Sequence, residues 1–332
     1  MKETIRRKLY DSGAVAVGFA KAGMLPSRIY EDYLCWIGEK RHAGMDYLER
    51  HVSLKKNTEN VLKGAKTVIS LAFDYTPLKW REEKEVEIAA YAYGEDYHNV
   101  LKKNLRPVIK DFRKAYGGEW RVCVDSAPVS ERFWAMESGI GRRGSNGSII
   151  IDKIGSFCFL TEILTTLRIE PDIPSREVCM ECGKCMEICP GKAIKGDGTI
   201  DAEKCINYLT IEKKGDFTEK EKELVRSENG HLYGCDRCLK VCPHNCIGKT
   251  EIPVSFKINQ YDRLVNTGNF SEKLKDIQSN RQLFSPLENI MTLTAEKILA
   301  MEEAEFNEIF KNSPLSYAGY TRLKRNALAL LK

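Results

Sequence analysis

The sequence predicts an α+β protein built from three stretches of different texture. Residues 1 to about 170 alternate apolar strands with amphipathic helices. Residues 171–250 turn to short segments rich in Cys, Gly and Pro, and residues 251–332 return to a helical pattern. In the first stretch "GAVAVGFAKA", "KTVISLAFDY", "WRVCVD", "GSIIID" and "SFCFLTEIL" read as strands, rich in Val, Ile and Ala and bounded by Gly or charge. Between them "DYHNVLKKNLRPVIKDFRKAYGG" reads as a helix. Leu101, Leu105, Val108, Phe112 and Tyr116 recur at three- and four-residue steps, with Lys102, Arg106, Lys110 and Arg113 on the opposite face. Gly117 closes that helix and Pro107 is expected to kink it. Its basic face reads first as a solvated one. After residue 250, "TAEKILAMEEAEFNEIF" and "TRLKRNALALLK" carry helical spacing.

Hydrophobic residues make up 42% of the 332 and charged residues 30%, which suits a globular chain with a sizeable core. The start, "MKETIRRKLYDSG", has no apolar h-region, and no apolar run approaches a membrane span. A cytoplasmic protein with no membrane partner, and a monomer, is expected. The formal charge of +5 does not by itself require a nucleic acid. From Lys311 to Lys332 there are five basic residues and no acid (Lys311, Arg322, Lys324, Arg325 and Lys332). Such a tail could meet phosphates, or form a solvated terminal helix.

Twelve cysteines in a cytosolic chain point to metal or catalysis rather than disulfides. The first run, Cys179-x2-Cys182-x2-Cys185-x3-Cys189-Pro190, has the bacterial ferredoxin spacing for [4Fe–4S] ligation. The second, Cys235-x2-Cys238-x3-Cys242-Pro243, lacks one ligand, and Cys205 can supply it. Eight thiolates then serve two cubanes: Cys179, Cys182, Cys185 and Cys242 for one, Cys189, Cys205, Cys235 and Cys238 for the other. Each Cys-Pro cysteine crosses over. Zinc is the rival reading of CxxC pairs, but zinc does not call for the CxxCxxCxxxCP run. Cys35, Cys123, Cys158 and Cys246 read as small buried hydrophobes. Two clusters make either an electron carrier or the wire of an enzyme.

"AAYAYGEDYHNVLKKNL", "VDSAPVSERFWAMESGIG", "CINYLTIEKKG", "YGCDRCLKVCPHN" and "FKNSPLSYAGYTRLKRNALALL" occur in this order. Together they resemble the epoxyqueuosine reductase family, over most of the chain from about residue 14, in a short form without the helical-repeat extension of many members. The resemblance implies a nitroreductase-like, cobalamin-binding domain at residues 1–170, a double [4Fe–4S] ferredoxin-like domain at 171–250, and a helical segment at 251–332 packing back on the core. It implies reduction of epoxyqueuosine in tRNA to the cyclopentene, with an unidentified low-potential electron donor.

Removing an epoxide oxygen needs two electrons and a proton donor. The family's proposed donor matches Asp125, which ends an apolar strand just before a helix. To donate near neutral pH its carboxyl should be raised by burial against the corrin. Tyr97 and His98 resemble residues near the cofactor pocket, and Ser145 and Asn146 lie in a loop that in the family helps enclose the cofactor, so they too are expected to bind it. After Gly141 this chain reads "RRGSNG" where members read close to "WIGKNT", so Arg142, Arg143, Ser145 and Gly147 depart. Two arginines there could hold an anion or form an exposed turn. The alternatives are a paralogous corrinoid reductase with a different small-molecule substrate, and a ferredoxin-like carrier.

Overall fold

The computed structural model describes residues 1–77, 79–82, 86–175, 179–245 and 281–331. Eight strands are present among them: β1 (Ala16–Lys21), β2 (Thr67–Asp74), β3 (Glu87–Ile88), β4 (Trp120–Cys123), β5 (Gly141–Arg143), β6 (Ile149–Ile151), β7 (Cys158–Thr165) and β8 (His231–Tyr233). The main sheet has the order β1-β2-β7-β4, and every pairing in it is antiparallel. All five sequence-read strands form, four of them in this sheet and Ile149–Ile151 in a separate hairpin. β2 is buried at all eight positions because both sheet faces are covered.

Strand alternation assigns the two faces. Ile69, Leu71, Phe73 and Ile163 face one core, shared with Ile5 and Leu9 of the helix Lys2–Asp11 and with Leu101, Leu105 and Phe112 of the helix Tyr97–Tyr116. Val68, Leu164 and Cys123 face a second core with Trp134 of the helix Glu131–Glu137. The helix Tyr97–Tyr116 runs through Pro107 unbroken, is capped by the Asp96 carboxylate and ends at Gly117 with φ 69°.

Two small sheets complete the frame. β5 and β6 form a hairpin, and β3 pairs in parallel with β8. The β3–β8 pair joins residues of the first and second stretches, which the sequence did not signal. A third core unites Ile88, Tyr93 and Phe157 with Leu232, Tyr233, Ile298, Phe306, Leu315 and Leu323. The C-terminal helices therefore share apolar surface with both earlier stretches.

The basic tail is largely spent on this packing. Arg322 donates to the Ile211 carbonyl at 2.7 Å. Arg325 donates to the carbonyls of Leu209, Lys213 and Gly215 and lies 4.0 Å from the Phe217 ring. These two arginines close the C-terminal end of the helix Ile206–Ile211, whose last carbonyls need partners. Lys311 pairs with Glu308 and Lys324 with the Tyr320 hydroxyl, while Lys332 lies outside the described residues. No helix of the described residues is long and apolar enough to cross a membrane.

Asn326, fully buried, donates to the Thr210 and Leu232 carbonyls at 2.7 and 3.0 Å. Asn326→Leu strands both acceptors, so it should destabilise the protein by about 2–4 kcal/mol. Anaerobic denaturant unfolding checks this; an unchanged midpoint would show that the amide carries no such load.

Candidate functional site

β4 ends at Cys123, and two residues later the chain turns sharply. Asp125 has φ 50°, in the left-handed region that costs an L-residue of order 1 kcal/mol. Its backbone N–H donates to Oε1 of Glu131 at 2.7 Å, which holds the turn against the start of the helix Glu131–Glu137. Its carboxylate is met from the start of the helix Tyr97–Tyr116. The Tyr97 hydroxyl donates to Oδ2 at 2.9 Å, and His98 Nε2 lies 3.2 Å from the same oxygen. His98 Nδ1 lies 2.8 Å from Oδ1 of Asp96, which also caps the helix. The Tyr97 ring stacks on Phe159 of β7 at 4.2 Å and 8°. With all these partners the Asp125 side chain is still 60% exposed. Asp125, Tyr97 and His98 thus come together from two elements 27 residues apart.

The charges follow from that geometry. Burial works to lower His98, but the carboxylates of Asp125 and Asp96 on its two nitrogens raise it to about 9. It is therefore an imidazolium at neutral pH. Burial works to raise Asp125, but hydrogen bonds from His98 and Tyr97 outweigh it and the net direction is down. Here a protonated His98 on Oδ2 favours the carboxylate more than burial disfavours it, so the expected rise would need the further burial that a bound corrin adds. Burial, then the Asp125 charge, pushes Tyr97 well up, so it stays a donor.

The raised acids lie one layer below and were not anticipated. Glu131 is pushed up by burial and by the charge of Asp125. Glu162, on β7 and fully buried, is pushed up by burial and by Glu131. Glu131 is close enough for its charge to act there, yet neither Glu162 oxygen meets hydrogen-bond geometry. A buried carboxyl so placed holds its proton. The legible signals were Glu131 inside "VDSAPVSER" and a lone acid in the apolar run "SFCFLTEIL".

Another polar cluster lies within electrostatic reach of Asp125. Tyr47 and Tyr317 donate to Glu212 at 3.4 and 2.9 Å, and all three are raised, mainly by burial and in part by the Asp125 charge. These residues come from three distant segments, so spacing could not have gathered them.

The eight cysteines fall into two groups. Cys179, Cys182, Cys185 and Cys242 line one common cavity. Burial raises Cys242, and the other three thiols add to the rise. In the second group burial raises Cys238, followed by Cys235 and Cys205, with Asp236 and Cys189 adding to it. Among the described residues no three ligating side chains close to single-ion distances.

Ser145 and Asn146 sit with the cysteines: the Ser145 hydroxyl donates to Cys179 Sγ at 3.7 Å, and Asn146 Nδ2 to the Cys238 carbonyl at 3.4 Å. Arg143 donates to the Asp197 carbonyl at 3.2 Å, and the buried Arg142 is 4.0 Å from Asp152. The departing loop is thus packed on the cysteine stretch and is no exposed turn. Of the other cysteines, Cys123 is buried and Cys158 half-buried, but Cys35 is exposed, contrary to expectation. Cys35 has its nearest polar partner, Glu39, one turn along a solvent-facing helix. Cys246 lies outside the described residues.

His98 owes its raised value to two carboxylates, so Asp125→Asn should bring it down from about 9 toward the ordinary range near 6.5. Because the folded value is raised, the stability this contact lends is full below about 6.5 and is lost as pH climbs through about 9. NMR titration of the His98 ring measures both; an unshifted value in the variant contradicts the assignment.

Comparison with known proteins agrees with this arrangement. The family description "Epoxyqueuosine reductase QueG, DUF1730" matches residues 55–126, and "4Fe-4S double cluster binding domain" matches residues 178–245. An epoxyqueuosine reductase of Prochlorococcus marinus is 30% identical over 335 residues, covering 100% of this chain and 97% of that protein. The structure of epoxyqueuosine reductase from Streptococcus thermophilus superposes with a TM-score of 0.78 at 25% identity, covering 100% of this chain and 80% of the other. A crystal structure of epoxyqueuosine reductase with an epoxyqueuosine-modified tRNA-Tyr stem loop shares the fold, with a TM-score of 0.81 at 24% identity over 99% of this chain and 80% of that one. On the full-length match to its Prochlorococcus relative, this chain belongs to the epoxyqueuosine reductase family.

Proposed function

We propose that this chain reduces the epoxide of epoxyqueuosine in tRNA to the alkene of queuosine, using two [4Fe–4S] clusters and a cobalamin. The reading is carried by one observation: an exposed carboxylate, Asp125, backed by the positively charged His98 on the same oxygen. The reaction consumes two electrons and two protons, and the oxygen leaves as water. The proton held by His98 passes across 3.2 Å through the ionised Asp125 carboxylate to the departing oxygen, and the second proton comes from solvent. Tyr97 fixes the carboxylate, and Glu131 fixes the backbone from which it projects.

The residues present fit a corrin. Asp125 is exposed with an aromatic and an imidazole beside it, and the Tyr47–Glu212–Tyr317 cluster within reach supplies further polar surface for a large polar macrocycle. When bound, cobalamin supplies a strongly reducing cobalt centre that collects two electrons. Cluster ligation is supported by the grouping of the thiols in fours, the number a [4Fe–4S] cluster takes. Ser145 and Asn146 then serve the cluster rather than the proton site. That placement weakens the small-molecule alternative, because Arg143, Ser145 and Asn146 of the unusual loop contact the cysteine stretch.

The test is anaerobic incubation of the reconstituted protein with cobalamin, reductant and epoxyqueuosine-tRNA, followed by nucleoside chromatography. Queuosine should appear; cobalamin bound without conversion of this tRNA would overturn the substrate. Asp125→Asn should keep iron and corrin yet lose turnover, and full activity would remove Asp125 from the mechanism. Cys205→Ala should lose about half of the iron, and undiminished iron would break the ligand grouping.

A further inference from the structure

One exposed surface remains unexplained by the site. The helix Tyr97–Tyr116 carries six basic residues and one acid, an excess equal to the formal +5 of the whole chain. His98, Lys102, Arg106, Lys110 and Lys114 follow one another at four-residue steps, so they form a continuous ridge along the helix. The opposite face, Leu101, Leu105, Ile109 and Phe112, is buried in the core. Sixteen residues at about 1.5 Å each carry the ridge about 24 Å outward from His98. Lys102, Arg106, Lys110 and Lys114 have no hydrogen bond or ion pair among the described residues, and Lys102, Arg106 and Lys110 are exposed along their length. The one acid, Asp111, is paired with Lys8 at 3.5 Å. The C-terminal arginines, by contrast, are committed to backbone carbonyls.

We infer that this ridge is the docking surface for the phosphate backbone of the RNA stem that presents the modified nucleoside. The inference rests on the function proposed above. The ridge begins at a residue that touches Asp125, so a nucleoside delivered to that carboxylate brings its own flanking phosphates to the first of these cations. Exposed cations without an ion-pair partner break no internal contact when they turn to a phosphate, and each phosphate they neutralise releases condensed counterions. An RNA stem is a rod of regular negative charge, and the row of cations, inclined to the helix axis, presents charge to it at regular intervals. The contacts position the stem and read no sequence, which leaves recognition to the site.

The variant K102Q/R106Q/K110Q/K114Q removes the charge and replaces no group that contacts Asp125 or His98, and the pair R106Q/K110Q, which leaves the Lys102 charge near Asp96 in place, is the milder control. Binding of an anticodon stem loop is measured between about 50 and 200 mM salt, alongside turnover of the stem loop and of the free epoxyqueuosine nucleoside. The quadruple variant should bind the stem loop at least about ten-fold more weakly, with its salt slope reduced by about one per lost contact. Cluster absorbance and nucleoside turnover should stay as in the wild type. Unchanged stem-loop affinity and slope overturn the inference. So does a loss confined to reduction by an acidic protein donor, with a chemical reductant still effective, since the ridge would then serve the donor. Failure of the wild type to convert either substrate sinks the proposed function instead, while the binding series still judges the ridge.

Discussion

Oδ2 of Asp125 receives both the Tyr97 hydroxyl and the His98 imidazolium, and the site depends on that shared oxygen. The contact ties the end of β4 to the start of a 20-residue helix. It keeps Asp125 ionised and His98 protonated, while Glu131 holds the left-handed backbone through the Asp125 N–H. In the proposed reaction the carboxylate meets the substrate, and the imidazolium stores the proton.

Beneath this lies a second acidic layer. Glu131 accepts the Asp125 N–H while burial and a neighbouring charge push its own carboxyl up, and Glu162 below it is pushed up in turn. Carboxyls this close and this buried do not all ionise. The turn therefore rests on groups that keep protons at neutral pH, which limits the negative charge gathered around Asp125. Glu162 stays in place because β7 is central in the sheet and cannot move one residue without exposing its apolar neighbours.

The proton site and the thiols are held in one frame by shared packing. Tyr97 stacks on Phe159, Phe159 lies 4.4 Å from Tyr75, and Tyr75 is raised first by burial and then by Asp236, Cys158 and Cys238. The β3–β8 pair and the common core bind the cysteine stretch to the first sheet, and Asn326 pins the last helix to both β8 and the helix before it. Such a frame leaves little freedom between electron source and proton source, and dense packing makes that separation stiff.

What the amino-acid sequence determined alone were the features with local or chemical periodicity. Five strands, the long helix and the grouping of eight thiols are written in spacing, because side-chain alternation, helical repeat and the reach of neighbouring thiolates act over a few residues. Asp125, Tyr97 and His98 were legible through motifs. The tertiary structure alone decided which way Asp125 titrates, since that depends on a histidine brought from 27 residues away. It alone turned Arg322 and Arg325 from apparent phosphate ligands into caps, and joined Tyr47, Glu212 and Tyr317. Electrostatic balance and hydrogen-bond partnership are properties of distance in space, and sequence separation does not encode that distance.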